Sequence, residues 1–329
     1  MKISTQQPET QKQSASHSPK FNVTGDEPKF IWSAMPTPFL SSGAIDKESL
    51  AKSVLHQERL GIGGLFVAGT CGEGALMPDQ QRAELVREVK RLSGSRLHVA
   101  AQVSDTSAAR VCENIRRMQD AGADSVVIAP PWIPWVCNGA ALKRYFVTPL
   151  EMAEVPVGLY VLKQPAGSPL DLAFWSEIAM HPKVSFVKDS SADATYRDAL
   201  LDVKRKRPEL AVLTGNEFDV LSATGPGYDG VLLGTAILNG GLIRHALDAQ
   251  AAGDAKAAEA WQLRSNELLW DLFGRDIHLW LGGLKYALVK LGLFSSTFMH
   301  MGYVLDDADR ARIDEALVRE QKFIFPAGL

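Results

Sequence analysis

GLFVAGTCGEGALMPDQQRAELVREVKRLSGSRLHVAAQV, residues 64–103, is the stretch whose texture decides the fold. It opens on an apolar run, Gly64–Gly69, and passes through a glycine-rich turn. A charged, periodic segment follows at Asp79–Leu92, then a second apolar run at Leu97–Val103. In the middle segment Leu85, Val86, Val89 and Leu92 fall on one stripe. Glu84, Arg87, Glu88 and Lys90 lie largely outside it, which is the period of an amphipathic helix. The flanking runs are continuously apolar rather than alternating, which suits strands buried on both faces.

The same alternation extends in both directions. Phe30–Phe39, Pro156–Leu162, Ser125–Pro130, Val184–Lys188, Leu210–Gly215 and Gly230–Thr235 complete a set of eight runs. Asp46–Leu60, Ala108–Ala121, Ala140–Ala153, Leu172–His181 and Ala194–Arg207 read as further amphipathic helices, the first with Asp46 as its N-cap. Eight strands alternating with helices predict an α/β fold, a closed TIM (β/α)8 barrel. The alternative is an open doubly wound sheet, but no GxGxxG follows the first strand. Beyond Gly240 only helical texture remains: Leu242–Ala252, Ala255–Phe273, Ile277–Leu291 and Asp307–Gln321. The expected organisation is a tail at 1–28, a barrel at 29–252 and a C-terminal helical extension at 253–329.

Residues 1–28 are rich in Gln, Ser, Thr, Lys and Pro and nearly free of large apolar side chains, so a flexible tail is expected. The tail has no apolar core of the kind a secretory signal requires. Across 329 residues, 46% hydrophobic and 22% charged describe an ordinary globular enzyme, and no apolar run is long enough to span a bilayer. A net charge of −3 argues against a nucleic-acid surface, and any attraction for an anion must be local. Cys71, Cys112 and Cys137 are too few and too scattered for a disulfide framework or a zinc site. A reducing, cytoplasmic setting is expected, with no metal.

In a barrel of this type, chemistry gathers where the strands end. Val184–Lys188 ends on a lysine. Burying that charge without a partner is costly, so the amine either pairs with a carboxylate or loses its proton. A neutral amine can attack a ketone to form an imine. The plainer reading of Lys188 is a lysine that snorkels to the surface. The Gly69–Gly74 turn offers consecutive backbone N–H groups, with Thr70 and Cys71 between glycines. Such a turn suits a carboxylate, or is only a tight connection. Tyr160, inside Pro156–Leu162, is either a proton-transfer group or a core tyrosine. Gly215, Asn216 and Glu217, with the end of Gly230–Thr235, place small or polar groups at the same rim.

Taken in order along the chain, these residues resemble the dihydrodipicolinate synthase / N-acetylneuraminate lyase family of class I aldolases, over about residues 29–320. Gly69-Thr70-Cys71-Gly72-Glu73 is similar to the family's GTTGE loop. Tyr160 and Lys188 stand 28 positions apart (188 − 160), as in its tyrosine–lysine pair. Lys188-Asp189-Ser190-Ser191 resembles the KDSSG variant of its sugar-acid branches. The resemblance implies a Schiff base on Lys188 with pyruvate or a related 2-oxo acid, and no other cofactor. It implies proton transfer by Tyr160, to which Thr70 hydrogen-bonds. It implies a pocket built from Thr70, Cys71, Gly215 and the Leu232 backbone, with a homotetramer of dimers, or a homodimer, as the assembly.

Two departures stand out. Trp132 replaces the second tyrosine of the family's YYN segment, and an indole N–H cannot relay a proton as a phenol does. Pro165 falls where the synthases carry the arginine that binds the aldehyde's carboxylate. Both speak against dihydrodipicolinate synthase activity itself, and with Ile133 and Trp135 nearby they suggest a more apolar rear to the pocket. Lys163 remains as a solvated lysine or an anion ligand. Three readings stay open: a pyruvate-type lyase or aldolase that also takes an aldehyde, a sugar-acid dehydratase or hydratase-aldolase, and a non-catalytic protein that binds a 2-oxo acid.

Overall fold

Residues 30–133, 138–165 and 167–325 are described by the computed structural model of the chain. The eight apolar runs become eight strands: β1 (Phe30–Ala34), β2 (Gly64–Val67), β3 (His98–Gln102), β4 (Ser125–Ile128), β5 (Val157–Val161), β6 (Val184–Asp189), β7 (Ala211–Thr214) and β8 (Gly230–Leu233). They pair in parallel in chain order, and β1 closes on β8 through Phe30 opposite Gly230 and Trp32 opposite Leu232. The expected barrel therefore forms. Between the strands lie α1 (Lys47–Arg59), α2 (Asp79–Ser93), α3 (Ala108–Asp120), α4 (Gly139–Met152), α5 (Leu172–Ala179), α6 (Ala194–Lys206) and α7 (Leu221–Thr224). Beyond them come α8 (Ala236–Ala251), α9 (Ala255–Phe273), α10 (Trp280–Lys290) and α11 (Asp307–Ile324). Asp46 caps α1 as expected, accepting from the Ser49 N–H at 3.1 Å.

Strand residues alternate between two cores. Ile31, Leu65, Val99, Val126, Leu159, Val187, Val212 and Val231 belong to the layer under the helices. Trp32, Phe66, Ala100, Val127, Tyr160, Phe186, Leu213 and Leu232 fill the other face, the inside of the barrel. Leu268, Leu269, Leu272 and Phe273 of α9, with Leu281, Leu284 and Leu288 of α10, join the inner set in one apolar cluster. The C-terminal helices thus share a core with the barrel's interior.

Several features differ from the sequence reading. The run Phe30–Phe39 is a strand only to Ala34, because Pro36 and Pro38 have no N–H for a ladder. Only the four-residue α7 separates β7 from β8. The helix after β8 starts at Ala236, not Leu242, and runs through Gly240 and Gly241. Each interior glycine costs a helix about 1 kcal/mol. A Cβ on Gly241, however, would lie 2.5 Å from the Phe323 carbonyl oxygen, so its absence lets α11 approach α8. Finally, α10 begins at Trp280 rather than Ile277, because Ile277 has φ +61 and Gly274 has φ +76. Among the described residues no helix is long and apolar enough to cross a membrane. Cys71 and Cys112 are buried free thiols; residues 1–28, Trp135 and Cys137 lie outside the described residues.

Candidate active site

Tyr160 and Lys188 are register partners on β5 and β6, which explains their spacing in the chain. Their side chains share the inner face. The Lys188 Nζ sits 4.4 Å from the centre of the Tyr160 ring and 5.4 Å from that of Phe66 on β2. Phe66 meets Tyr160 edge-on, with ring centres 6.1 Å apart, so the phenol and the amine are held by rigid aromatic packing. Lys188 is only 6% exposed. The next residue, Asp189, is turned the other way: it accepts the Tyr228 hydroxyl at 2.8 Å and the Ser191 N–H at 2.9 Å. Burial, together with Asp189, pushes the Tyr228 phenol far above its ordinary range.

The Gly69–Gly74 loop follows β2. Among the described residues, the N–H groups of Thr70 and Cys71 donate to no protein acceptor, as a carboxylate cradle requires. Glu73 at its far end takes φ 58 and is fully buried. Its carboxylate accepts Lys285 Nζ at 2.5 Å and the His300 N–H at 2.6 Å, while Lys285 also donates to the Phe298 carbonyl at 2.8 Å. The loop is therefore moored to α10 and the segment after it. No hydrogen bond joins Thr70 to Tyr160 among the described residues, although both line the same cavity.

That cavity measures ≈ 300 Å³. Thr70, Cys71, Tyr160, Lys188 and Gly215 all line it, so the structure brings together five of the six residues singled out in the sequence. Leu232 is fully buried within β8 and does not line it; Gly234, two residues on, does. Gly215 leaves room for its neighbours, because a Cβ there would stand 2.0 Å from Ser190 Oγ and 2.8 Å from Lys188 Cε and would force both side chains to shift. Cys71 points its thiol at the Gly234 carbonyl, 3.5 Å away. Desolvation pushes this thiol up to about 12, so it is a neutral wall rather than a nucleophile.

Glu217 lines the cavity as well, and the sequence places it only at the rim. Its Oε1 accepts the Thr235 N–H at 3.0 Å. Burial raises its carboxyl above the ordinary range, against the pull of Lys188 and the Thr235 and Gly234 N–H groups. The site thus holds an amine, a phenol and a carboxyl with a raised pKa, a set able to carry covalent and acid–base chemistry. Among the described residues no group of three or more His, Cys, Asp or Glu is placed to hold a metal ion.

Against known proteins, the model of the Dihydrodipicolinate synthetase family matches residues 27–314. The chain belongs to that family. The 4-hydroxy-tetrahydrodipicolinate synthase of Kineococcus radiotolerans is 30% identical over 234 residues, 71% of this chain and 74% of that protein. The solved dihydrodipicolinate synthase of Bacteroides thetaiotaomicron is 26% identical, with TM-score 0.80 over 88% of this chain and 98% of that one. The N-acetylneuraminate lyase of Mycoplasma synoviae shares the fold, with TM-score 0.77 at 17% identity over 90% of this chain and 99% of that one. Members of the dihydrodipicolinate synthetase family are lyases of the class I aldolase type, and this chain is an enzyme of that type.

Within this family member, the expected apolar rear wall is not where the sequence suggests. Trp132 and Ile133 do not line the cavity. Trp132 lies 5.7 Å from the Arg82 guanidinium, which draws the indole to a buried charge, and Ile133 is exposed. Pro165 is exposed at the surface and contributes nothing to the cavity. Lys163 is held by Asp193 at 2.8 Å. The apolar wall comes instead from Phe218, after β7, and from Phe273, Ile277 and Trp280 around the α9–α10 connection. No local motif marks these residues, because what brings them to the barrel mouth is the packing of the C-terminal helices.

Proposed function

We propose that the protein is a Schiff-base lyase or aldolase acting on pyruvate or a closely related 2-oxo acid. The observation that carries this is the Lys188 amine 4.4 Å from the centre of the Tyr160 ring, with the Thr70–Cys71 turn lining the same cavity. The amine adds to the keto carbon and water leaves, giving an iminium on Lys188. Tyr160 moves the protons in that step and removes one from the adjacent methyl, leaving an enamine. The enamine carbon attacks an aldehyde carbon, and the aldehyde oxygen takes a proton. Water then hydrolyses the imine to free a 4-hydroxy-2-oxo acid and the lysine. Run backwards, the same steps cleave that acid to pyruvate and an aldehyde. The iminium itself withdraws the electrons, so the reaction draws on no cofactor beyond the covalent imine on Lys188.

The second substrate differs, in this reading, from that of the dihydrodipicolinate synthases. Supporting this, Pro165 stands where the resemblance places their carboxylate-binding arginine, and the described residues lining the cavity include no arginine. A homotetramer or homodimer in the cytoplasm is the setting we infer from family analogy. The test is borohydride reduction in the presence of pyruvate, followed by peptide mass spectrometry. A reduced adduct on Lys188, absent from Lys188→Arg, is expected; an unmodified Lys188 would overturn the proposal. Release of pyruvate together with an aldehyde from the substrate separates aldol cleavage from dehydration.

A further inference from the structure

We infer that the second substrate is an uncharged aldehyde with a compact aromatic body, or the 4-hydroxy-2-oxo acid that cleaves to one. This rests on the Schiff-base reading above and adds the chemistry of the partner that the enamine meets.

The cavity has two unlike ends. The inner end carries Lys188, Tyr160, Thr70 and Cys71, which the Schiff-base reading gives to the 2-oxo acid. The outer end, where the second substrate must sit to reach the enamine carbon, is walled by Phe218, Phe273, Ile277 and Trp280. Phe218 is fixed from behind by Trp270, stacked with ring centres 6.1 Å apart at 20°. This wall is apolar apart from the Trp280 indole N–H, and the cavity's polar side chains beyond the inner end, Ser190, Asn216 and Glu217, are a small set to meet a long chain of hydroxyl groups.

Charge excludes the other common class of aldehyde. Lys188 is the only cation among the described lining residues, and its charge is gone once the iminium has become the enamine that meets the aldehyde. Glu217 is the only carboxyl there. An aldehyde bearing a carboxylate or phosphate would find no second cation among the described lining residues to pair with, a heavy desolvation cost. Lys163 does not line the cavity and pairs with Asp193 at 2.8 Å. The Glu217 carboxyl, raised by burial, suits a neutral substrate oxygen instead.

Backbone conformation points to the same wall. Ile277 is β-branched and held at φ +61, a region such residues rarely adopt. In this conformation the isoleucine, 40% exposed, lines the cavity just ahead of α10. Strain of this kind persists where the surroundings over-determine it, and it gathers at ligand clamps.

The test supplies pyruvate with benzaldehyde, glyceraldehyde or succinic semialdehyde in parallel and quantifies 4-hydroxy-2-oxo acids and their dehydrated products by chromatography. The Lys188–pyruvate adduct is measured on the same samples. Wild-type protein is expected to show kcat/KM for benzaldehyde at least about tenfold above the other two. Trp280→Ala is expected to lower that value about tenfold, chiefly through KM, with adduct yield unchanged, and Trp280→Phe to retain most of it. Trp280→Arg is expected to raise turnover of succinic semialdehyde. An intact adduct with glyceraldehyde or succinic semialdehyde preferred, with no aldehyde turned over, or with a preference indifferent to Trp280→Ala, overturns the aromatic assignment alone. No adduct at all overturns the Schiff-base reading and this inference with it.

Discussion

Glu73 Oε1 and Lys285 Nζ, 212 positions apart in the chain, meet at 2.5 Å with neither side chain exposed. The pair ties the turn proposed to cradle a carboxylate to the helix whose Trp280 lines the cavity. Neither charge reaches water, so each depends on the other and on the His300 N–H and Phe298 carbonyl for solvation. Burial draws Lys285 below its ordinary range, and the Glu73 carboxylate opposes that shift. A methionine at position 285 leaves Glu73 buried without its cation.

Lys285→Met is therefore expected to cost about 3–5 kcal/mol of stability, the penalty for stranding one member of a buried ion pair. Urea unfolding measures it. Pairing that change with Glu73→Gln should recover part of the loss. A single variant as stable as wild type would show that the pair carries no such role. Near-wild-type folding with a raised KM for pyruvate would locate its effect in the Thr70–Cys71 turn instead.

Tyr160→Phe separates imine formation from the proton transfers after it. The ring keeps its edge contact with Phe66 and its place beside Lys188, so the fold and the adduct with pyruvate should survive. Only the hydroxyl is lost. Turnover should fall about 10²–10⁴-fold, the usual worth of a positioned acid–base group. Trapping and steady-state rates on the same preparation check both halves, and unimpaired turnover would remove Tyr160 from the mechanism.

The parts of this molecule legible in the sequence are those with a local signature. Eight apolar runs and the stripe of Leu85, Val86, Val89 and Leu92 specify the barrel, because period and burial are properties of neighbouring residues. Lys188, Tyr160 and Thr70 are legible because strand ends in a barrel converge on one face. The outer wall is not. Phe218, Phe273, Ile277 and Trp280 read as ordinary core or loop residues, and only the docking of α9 and α10 over the mouth gathers them. Trp132 misleads for the converse reason. Its sequence position suggests a pocket wall, but the buried Arg82 guanidinium takes its ring. Helix α8 looks shorter in the sequence than in the fold, because the Gly240–Gly241 pair reads as a break until Phe323 is seen against it.

Gly215→Ala is a small change with a large expected effect on the site. The added carbon would stand 2.0 Å from Ser190 Oγ and 2.8 Å from Lys188 Cε, so both must move. Overpacking of this kind costs about 1–3 kcal/mol. Displacing the amine by as little as about 1 Å costs about 10²-fold in rate. Adduct formation should slow in proportion to turnover, in contrast to Tyr160→Phe. Adduct rates equal to wild type would mean that Lys188 is not positioned by the Gly215 gap.

Cys71 gives the fold a measurable dependence on alkaline pH. Desolvation, with Glu217 beside it, pushes the thiol from its ordinary 9.0 to about 12, against the opposing pull of Lys188 and Lys285. In the unfolded chain the thiol ionises near 9; in the folded chain it keeps its proton well beyond that. Between those two values the native state binds more protons than the unfolded state. Stability therefore falls as pH rises, by up to about 1.4 kcal/mol per pH unit from this group. Cys71→Ser removes the ionisation, so its stability profile from about pH 9 to 10.5 should be shallower than that of wild type by about 1 kcal/mol per unit. Urea melts across that range measure the slope, and iodoacetamide at about pH 8 should leave the native thiol unlabelled. Parallel slopes, or rapid alkylation of the folded protein, would show that the thiol ionises in the native state and that the cavity floor is better hydrated than its burial indicates.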